Sequence, residues 1–213
     1  MQVSLIVMLT KLVEVSEAGN RRLKADQYWP NQEQENLVFP RSGLRVEQIR
    51  HRDLSQGNYV LRKFLVSHGN QTRGTIVHQL HCTAWPDHDV PSSPDLLLEL
   101  VREANSLSPD LSSPILVHCS AGVGRTGTFI AVHKLLRELE RARPGTSLEV
   151  ARTVLEMRKC RARMVQTLEQ YVYIYKCLDQ LFEEDEEEDD DYYNNSNYYN
   201  FNSTSYYENE DIV

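Results

Sequence analysis

The sequence predicts an α/β layered fold with a β-sheet at its centre, and three features carry that expectation. Val3–Leu9 and Ile115–Val117 are short apolar runs without alternation, the pattern of strands buried on both faces. Asn58–Val66 and Thr75–Trp85 read as a pair of strands joined by a link, Ser67–Gly74, that holds Gly69, Asn70 and Gly74. Apolar residues at helical spacing then alternate with the strands, as layered α/β folds require.

The stretch after Val3–Leu9 contains Tyr28, Trp29, Pro30 and Pro40 and reads as loop-rich. In Thr75–Trp85, Ile76, His78, Leu80 and Cys82 fall on one face, and Val77, Gln79, His81 and Thr83 on the other. Ser93-Pro94-Asp95 starts a helix over Leu96–Leu107: a capping hydroxyl, Pro at the first helical position and an acid in the first turn. A second helix is expected over Thr126–Leu139, and a third opens near Ser147, Glu149 and Val150 and runs to about Arg158. The last, Thr167–Phe182, has a core stripe of Tyr171, Ile174, Tyr175, Leu178, Leu181 and Phe182.

The chain has 213 residues, room for one sizeable domain. Its formal charge of -8 is unevenly spread: of 31 acidic residues, 12 follow Phe182, where no Lys or Arg occurs. The body, 1–182, therefore carries a net +4, which suits an anionic substrate. Residues 183–213 open with nine consecutive acids and continue in Asn, Tyr and Ser, a composition expected to form a disordered, solvating tail. No run approaches the ~20 apolar residues that span a bilayer. The N-terminal run lacks the basic leader and cleavage site of a signal peptide. Cys82, Cys119, Cys160 and Cys177 form no Cys-x-x-Cys pair, so a zinc knuckle is not indicated, and a reduced, cytoplasmic setting is expected.

The richest stretch is Ile115-Leu116-Val117-His118-Cys119-Ser120-Ala121-Gly122-Val123-Gly124-Arg125-Thr126-Gly127. A buried strand runs into a glycine-bearing loop, and the loop into a helix. Backbone N–H groups of such a loop can converge on an anion, aided by the helix N-terminus. Gly122 and Gly124 are expected to take backbone angles that side chains forbid. A thiol at the base of this nest, Cys119, would ionise readily and attack phosphorus. Arg125, closing the loop, offers a planar fork to two phosphate oxygens, which Lys could not. A buried structural cysteine would explain a bare Cys-x5-Arg. His-Cys-x-x-Gly-x-x-Arg in this context, expected in about one random chain in a thousand, is far more specific.

This loop resembles the signature loop of the tyrosine-specific protein tyrosine phosphatases. With Val7-Met8-Leu9-Thr10 and Tyr28-Trp29-Pro30, the resemblance covers about Val3–Leu181 and is strongest to the receptor-type branch. It implies the cysteine-dependent phosphatase fold, a central mixed β-sheet flanked by helices, and no metal or organic cofactor. It implies hydrolysis of phosphotyrosine through a phosphocysteine, with phosphate held by Ser120, Ala121, Gly122, Val123, Gly124 and Arg125. His118 would support the thiolate, and the Thr126 hydroxyl would help it leave. Asp87 of Trp85-Pro86-Asp87-His88 matches the general acid, then base. Met164-Val165-Gln166-Thr167 resembles the glutamine loop, where Gln166 would position water and Gln170 support it. Arg158 and Arg161, in the same pattern, read as structural or surface-facing. The implied partners are phosphotyrosine-containing proteins, with no nucleic acid and no membrane segment; the chain would be a cytoplasmic enzyme or a cytoplasmic piece of a receptor.

The resemblance begins in the middle of the family's domain, and roughly its first third has no counterpart here. Two expectations follow: a bare edge on the Val3–Leu9 strand, and exposed apolar surface. Asp89 stands where the family has Gly, and His133 where it has an acid. Set against the phosphatase reading are a truncated, non-catalytic phosphotyrosine-binding or regulatory fragment, and a fragment that does not fold alone.

Overall fold

The computed structural model describes residues 3–15, 19–31, 33–69, 73–86, 90–109, 113–141, 143 and 147–189. They fall into two compact units: Met1–His88 with Arg102–Ala121, and Asp89–Val101 with Gly122–Val213.

The first unit is built on a six-stranded mixed sheet. Its strands are β1 (Leu5–Met8), β4 (Asn36–Phe39), β5 (Leu44–Leu54), β6 (Tyr59–His68), β7 (Thr75–Cys82) and β8 (Ile115–His118), in the order β4-β5-β6-β7-β1-β8. β4 to β7 form an antiparallel meander, and β1 lies parallel to both β7 and β8. β2 (Val13–Val15) and β3 (Arg21–Leu23) make a separate hairpin. Leu5, Val7, Met8 and Leu80 are fully buried, as an unbroken apolar run in a parallel pair requires. A cluster of Met8, Trp29, Val46 and Phe64 packs against Leu12, Tyr28 and Phe39.

Two expectations need correction here. β1 is not an edge strand, because it pairs through Leu5–Met8 with His78–His81 on one side and Ile115–His118 on the other. Among the described residues the edge strands are β4 and β8, and Leu116 of β8 is 49% exposed. The stretch expected to be loop-rich contains β4 and β5, the latter the longest strand among the described residues. Its residues are mostly exposed, so they carry no hydrophobic signature, and its order comes from backbone pairing with β6.

Helix α1 (Asp95–Leu107) starts as expected, with the Ser93 hydroxyl accepting from the Asp95 amide at 3.2 Å. The second unit holds α2 (Gly124–Leu139), α3 (Val150–Cys160) and α4 (Leu168–Asp189). Ile174, Leu178 and Leu181 of the expected stripe are buried, and the buried Tyr173 donates its hydroxyl to the Ser93 carbonyl at 2.8 Å. α4 does not stop at Phe182 but continues through Glu183–Asp189. Extending an established helix needs no new nucleus, and glutamate has good helix propensity. The tail expected from 183 therefore begins in helix, and residues 190–213 lie outside the described residues. Among the described residues, no helix is long and apolar enough to cross a membrane.

Candidate active site

In the first unit β8 delivers His118 and, directly after it, the half-buried Cys119. The Leu9 amide donates to the His118 carbonyl at 2.8 Å, which ties this strand end to the end of β1. The His118 ring is held at both nitrogens. Nδ1 lies 3.2 Å from the Cys119 carbonyl, an acceptor, so Nδ1 carries a proton and donates. Nε2 lies 2.8 Å from the Tyr28 hydroxyl. That hydroxyl oxygen already accepts from Gln79 Nε2 at 2.8 Å, leaving its own proton for His118. Gln79 Oε1 in turn accepts from Arg62 Nη1 at 2.8 Å. Four donors thus point the same way, from Arg62 through Gln79, Tyr28 and His118 to the Cys119 carbonyl. Aligned bonds of this kind polarise one another. Burial pushes the Tyr28 phenol up to about 12, so it remains protonated and able to donate.

His81 braces the same array. Its Nε2 donates to the Thr10 carbonyl at 2.8 Å, and its Nδ1 accepts from Arg62 Nη1 at 3.1 Å. Burial, opposed by the bond to Thr10, pushes its pKa down to about 4. Nearby, the buried Glu14 pairs with Lys24 Nζ at 2.9 Å and accepts from the Thr10 hydroxyl at 3.2 Å.

The second unit begins inside the loop. Gly122 has φ +71°, the left-handed region that favours glycine, and the Arg161 guanidinium lies against it: a Cβ there would sit 3.4 Å from Nη2. No side chain caps α2, and Arg125 and Thr126 occupy its first turn, Thr126 buried. A Cβ on Gly124 would sit 2.9 Å from Gln170 Nε2 and 3.2 Å from Gln166 Oε1. Gly124 therefore serves by leaving room for both glutamines, and its backbone does not take the positive φ expected from the sequence. The Gln166 amide donates to Gln170 Oε1 at 2.9 Å, which joins the pair.

The segment before Gln166 is tightly clamped. Arg158 Nε and Nη2 donate to the carbonyls of Met164 (3.0 Å) and Val165 (2.8 Å), and the Val165 amide donates to the Val123 carbonyl (3.1 Å). Val165 has φ +58°, costly for a β-branched residue and kept only because these bonds over-determine it. A Cβ on Gly127 would fall 2.3 Å from the Val165 nitrogen, so only glycine fits.

The first unit thus holds His118, Cys119, Ser120 and Ala121, and the second Gly122, Val123, Gly124, Arg125, Thr126, Gln166 and Gln170. Asp87 and Asp89 lie outside the described residues; the buried Trp85 and exposed Pro86 lead up to them. His133 stacks on Phe129, with ring centroids 5.9 Å apart, and burial lowers its pKa. Sequence reasoning missed the Arg62–Gln79 part of the array and the seat of Arg161 on Gly122. The available signal for Gln79 was its strand face, which it shares with the polar His81 and Thr83.

A strand–loop–helix carrying His-Cys-x5-Arg-Thr, with a clamped glutamine segment further along the chain, is the arrangement that the sequence resemblance anticipates. The family model described as protein-tyrosine phosphatase matches residues 1–180, running through both units. The chain belongs to the protein-tyrosine phosphatase family. It is 40% identical over 176 residues to receptor-type tyrosine-protein phosphatase eta of Gallus gallus, a match covering 81% of this chain and 12% of that protein. Receptor-type tyrosine-protein phosphatase C of Homo sapiens is 38% identical over 176 residues, covering 82% of this chain and 13% of that one. The solved catalytic domain of human protein tyrosine phosphatase non-receptor type 18 is 33% identical with a TM-score of 0.75, covering 84% of this chain and 61% of that chain. The fold is that of a protein tyrosine phosphatase catalytic domain, and the chain spans about an eighth of the length of these receptor-type relatives.

Proposed function

We propose that residues 1–182 hydrolyse phosphotyrosine on proteins, in a cytoplasmic setting, through a phosphocysteine. The observation that carries this reading is the seating of Gln166 and Gln170 on Gly124, in the same helical turn that presents Arg125 and Thr126. A pair of amides at an uncapped helix start, beside an arginine, suits a tetrahedral anion and an attacking water.

In the first step the Cys119 thiolate attacks phosphorus, the bond from phosphorus to the tyrosyl oxygen breaks, and the Asp87 carboxyl gives its proton to that oxygen. Arg125 holds two non-bridging oxygens. In the second step a water oriented by Gln166 gives its proton to Asp87 and attacks phosphorus, and the thiolate leaves with a hydrogen bond from Thr126. Inorganic phosphate is released. The Tyr28–His118 bonds keep the Cys119 carbonyl turned toward the histidine.

The test is hydrolysis of a phosphotyrosine peptide, beside Cys119→Ser and Asp87→Ala, with rapid quench for a phosphorus–sulfur bond. Loss of activity in Cys119→Ser, a drop of about 100-fold or more in Asp87→Ala and a trapped phosphocysteine are expected. The open β8 edge, directly before Cys119, favours a second reading: phosphotyrosine binding without catalysis. A well-folded protein that binds the peptide but forms no phosphocysteine would establish it.

A further inference from the structure

We propose that the first unit carries a second anion site, lined by none of the loop residues, that takes a phosphate-class oxyanion between Arg62 and Lys11. A cavity of about 510 Å³ opens among Lys11, Trp29, Gln48, His51, Arg62 and His81, with further neutral neighbours. That volume lies within the range of small-ligand pockets. Among the described residues that line it there is no carboxylate, while Lys11, His51 and Arg62 are basic. Asp53, whose charge acts on Arg62, is engaged by His51 Nε2 at 3.2 Å.

Arg62 is built into this wall rather than free on it. Its guanidinium lies over the Trp29 ring at 4.8 Å, and its Nη1 is spent on Gln79 and His81. The plane is thereby fixed, and the N–H groups on Nε and Nη2 keep no protein acceptor among the described residues. A half-buried arginine held in this way is pre-organised to present paired donors to an oxyanion. His81 adds no positive charge, since its Nδ1 must accept from Arg62.

The backbone supports the same conclusion. Along β5 the register with β6 shifts between Gln48 and Arg50, leaving Ile49 as a bulge. Residues three apart on a regular strand face opposite ways. The extra residue brings Gln48 and His51 to one side, where His51 stands opposite Arg62 and both line the cavity. Bulges commonly re-aim side chains at functional positions. The cavity also sits at the head of the hydrogen-bond array that ends on the Cys119 carbonyl.

The experiment follows the Trp29 indole N–H signal by NMR during titration at constant ionic strength, first with inorganic phosphate and then with a phosphoserine peptide. Trp29→Phe assigns the signal among the chain's two tryptophans. A saturable shift is expected in the wild type and, unchanged, in Arg125→Ala, which removes the loop's own clamp. Arg62→Gln should weaken it about tenfold or more. Lys11→Gln, an exposed change that leaves the fold intact, should weaken it severalfold and carries the test if Arg62→Gln does not fold. Saturation by inorganic phosphate identifies a free anion as the occupant, and saturation by the peptide alone identifies a phosphorylated side chain. A wild type with no saturable shift, loss of the shift in Arg125→Ala, or unchanged affinity in Lys11→Gln would overturn the proposal. None of these readouts depends on hydrolysis, so the site stands or falls apart from the phosphatase reading.

Discussion

The cysteine end and the glutamine end of this chain are held by opposite means. Around Cys119, position is set by polar side chains buried in the sheet: Arg62, Gln79, Tyr28 and His118, each donating to the next. Around Gln166, it is set by the absence of side chains, at Gly124 and Gly127, and by an arginine bonded to backbone carbonyls. The first arrangement contains groups that titrate and bonds that can be removed one at a time. The second is a steric fit with little give. A polar array should therefore fail gradually and with pH, and a close approach abruptly and at any pH.

The largest effect should come from Gly127→Ala. Its Cβ would meet backbone rather than a flexible side chain, so either α2 or the strained Val165 must move. A loss of at least ~3 kcal/mol is expected in urea denaturation, together with loss of hydrolysis. A full-strength Gly127→Ala enzyme would show that the glutamine segment has more freedom than the clamp implies.

Next comes the pH response of the cysteine end. Folding lowers the His81 pKa from 6.5 to about 4, so between those values the unfolded chain binds a proton that the folded one does not. Stability should be complete above about 6.5 and fall as pH drops toward 4, by at most ~3 kcal/mol. His81→Asn should flatten that part of the profile. His78 and His133 are pushed the same way by burial, so some slope should remain. An unchanged profile in His81→Asn would remove titration from the comparison.

The smallest effect is expected from Tyr28→Phe, which breaks the array at its centre and leaves the ring packing in place. Stability should fall by ~1 kcal/mol. Turnover should fall severalfold with little change in KM, because the hydroxyl touches His118 and not the substrate. A rise in KM at constant turnover would instead place Tyr28 in substrate binding.

Much of this could be read from the sequence, for reasons that differ by element. β1, β8 and the helices announce themselves through unbroken apolar runs or helical spacing, because each buries a wide apolar surface. β5 does not. Of Leu44–Leu54 only Val46 is buried, and strand character there comes from pairing with Tyr59–His68. The continuation of α4 into Glu183–Asp189 was missed because composition was weighed without the cooperativity that an already formed helix supplies. Gly124 was legible as necessary, but for the wrong reason, since the side chains it makes room for lie 42 and 46 residues further along.

The sequence by itself determined the loop from His118 to Gly127, its cysteine and arginine, the glutamines that follow and the family to which they belong. These depend on local spacing and on residue chemistry, which a linear string displays. Only the tertiary structure decided that β1 lies inside the sheet, that Arg62 heads a hydrogen-bond array ending at Cys119, and that a bulge at Ile49 turns Gln48 and His51 into one cavity. Each of those depends on which distant backbones pair and in what register. Long-range pairing leaves no mark on the polar residues that it brings together.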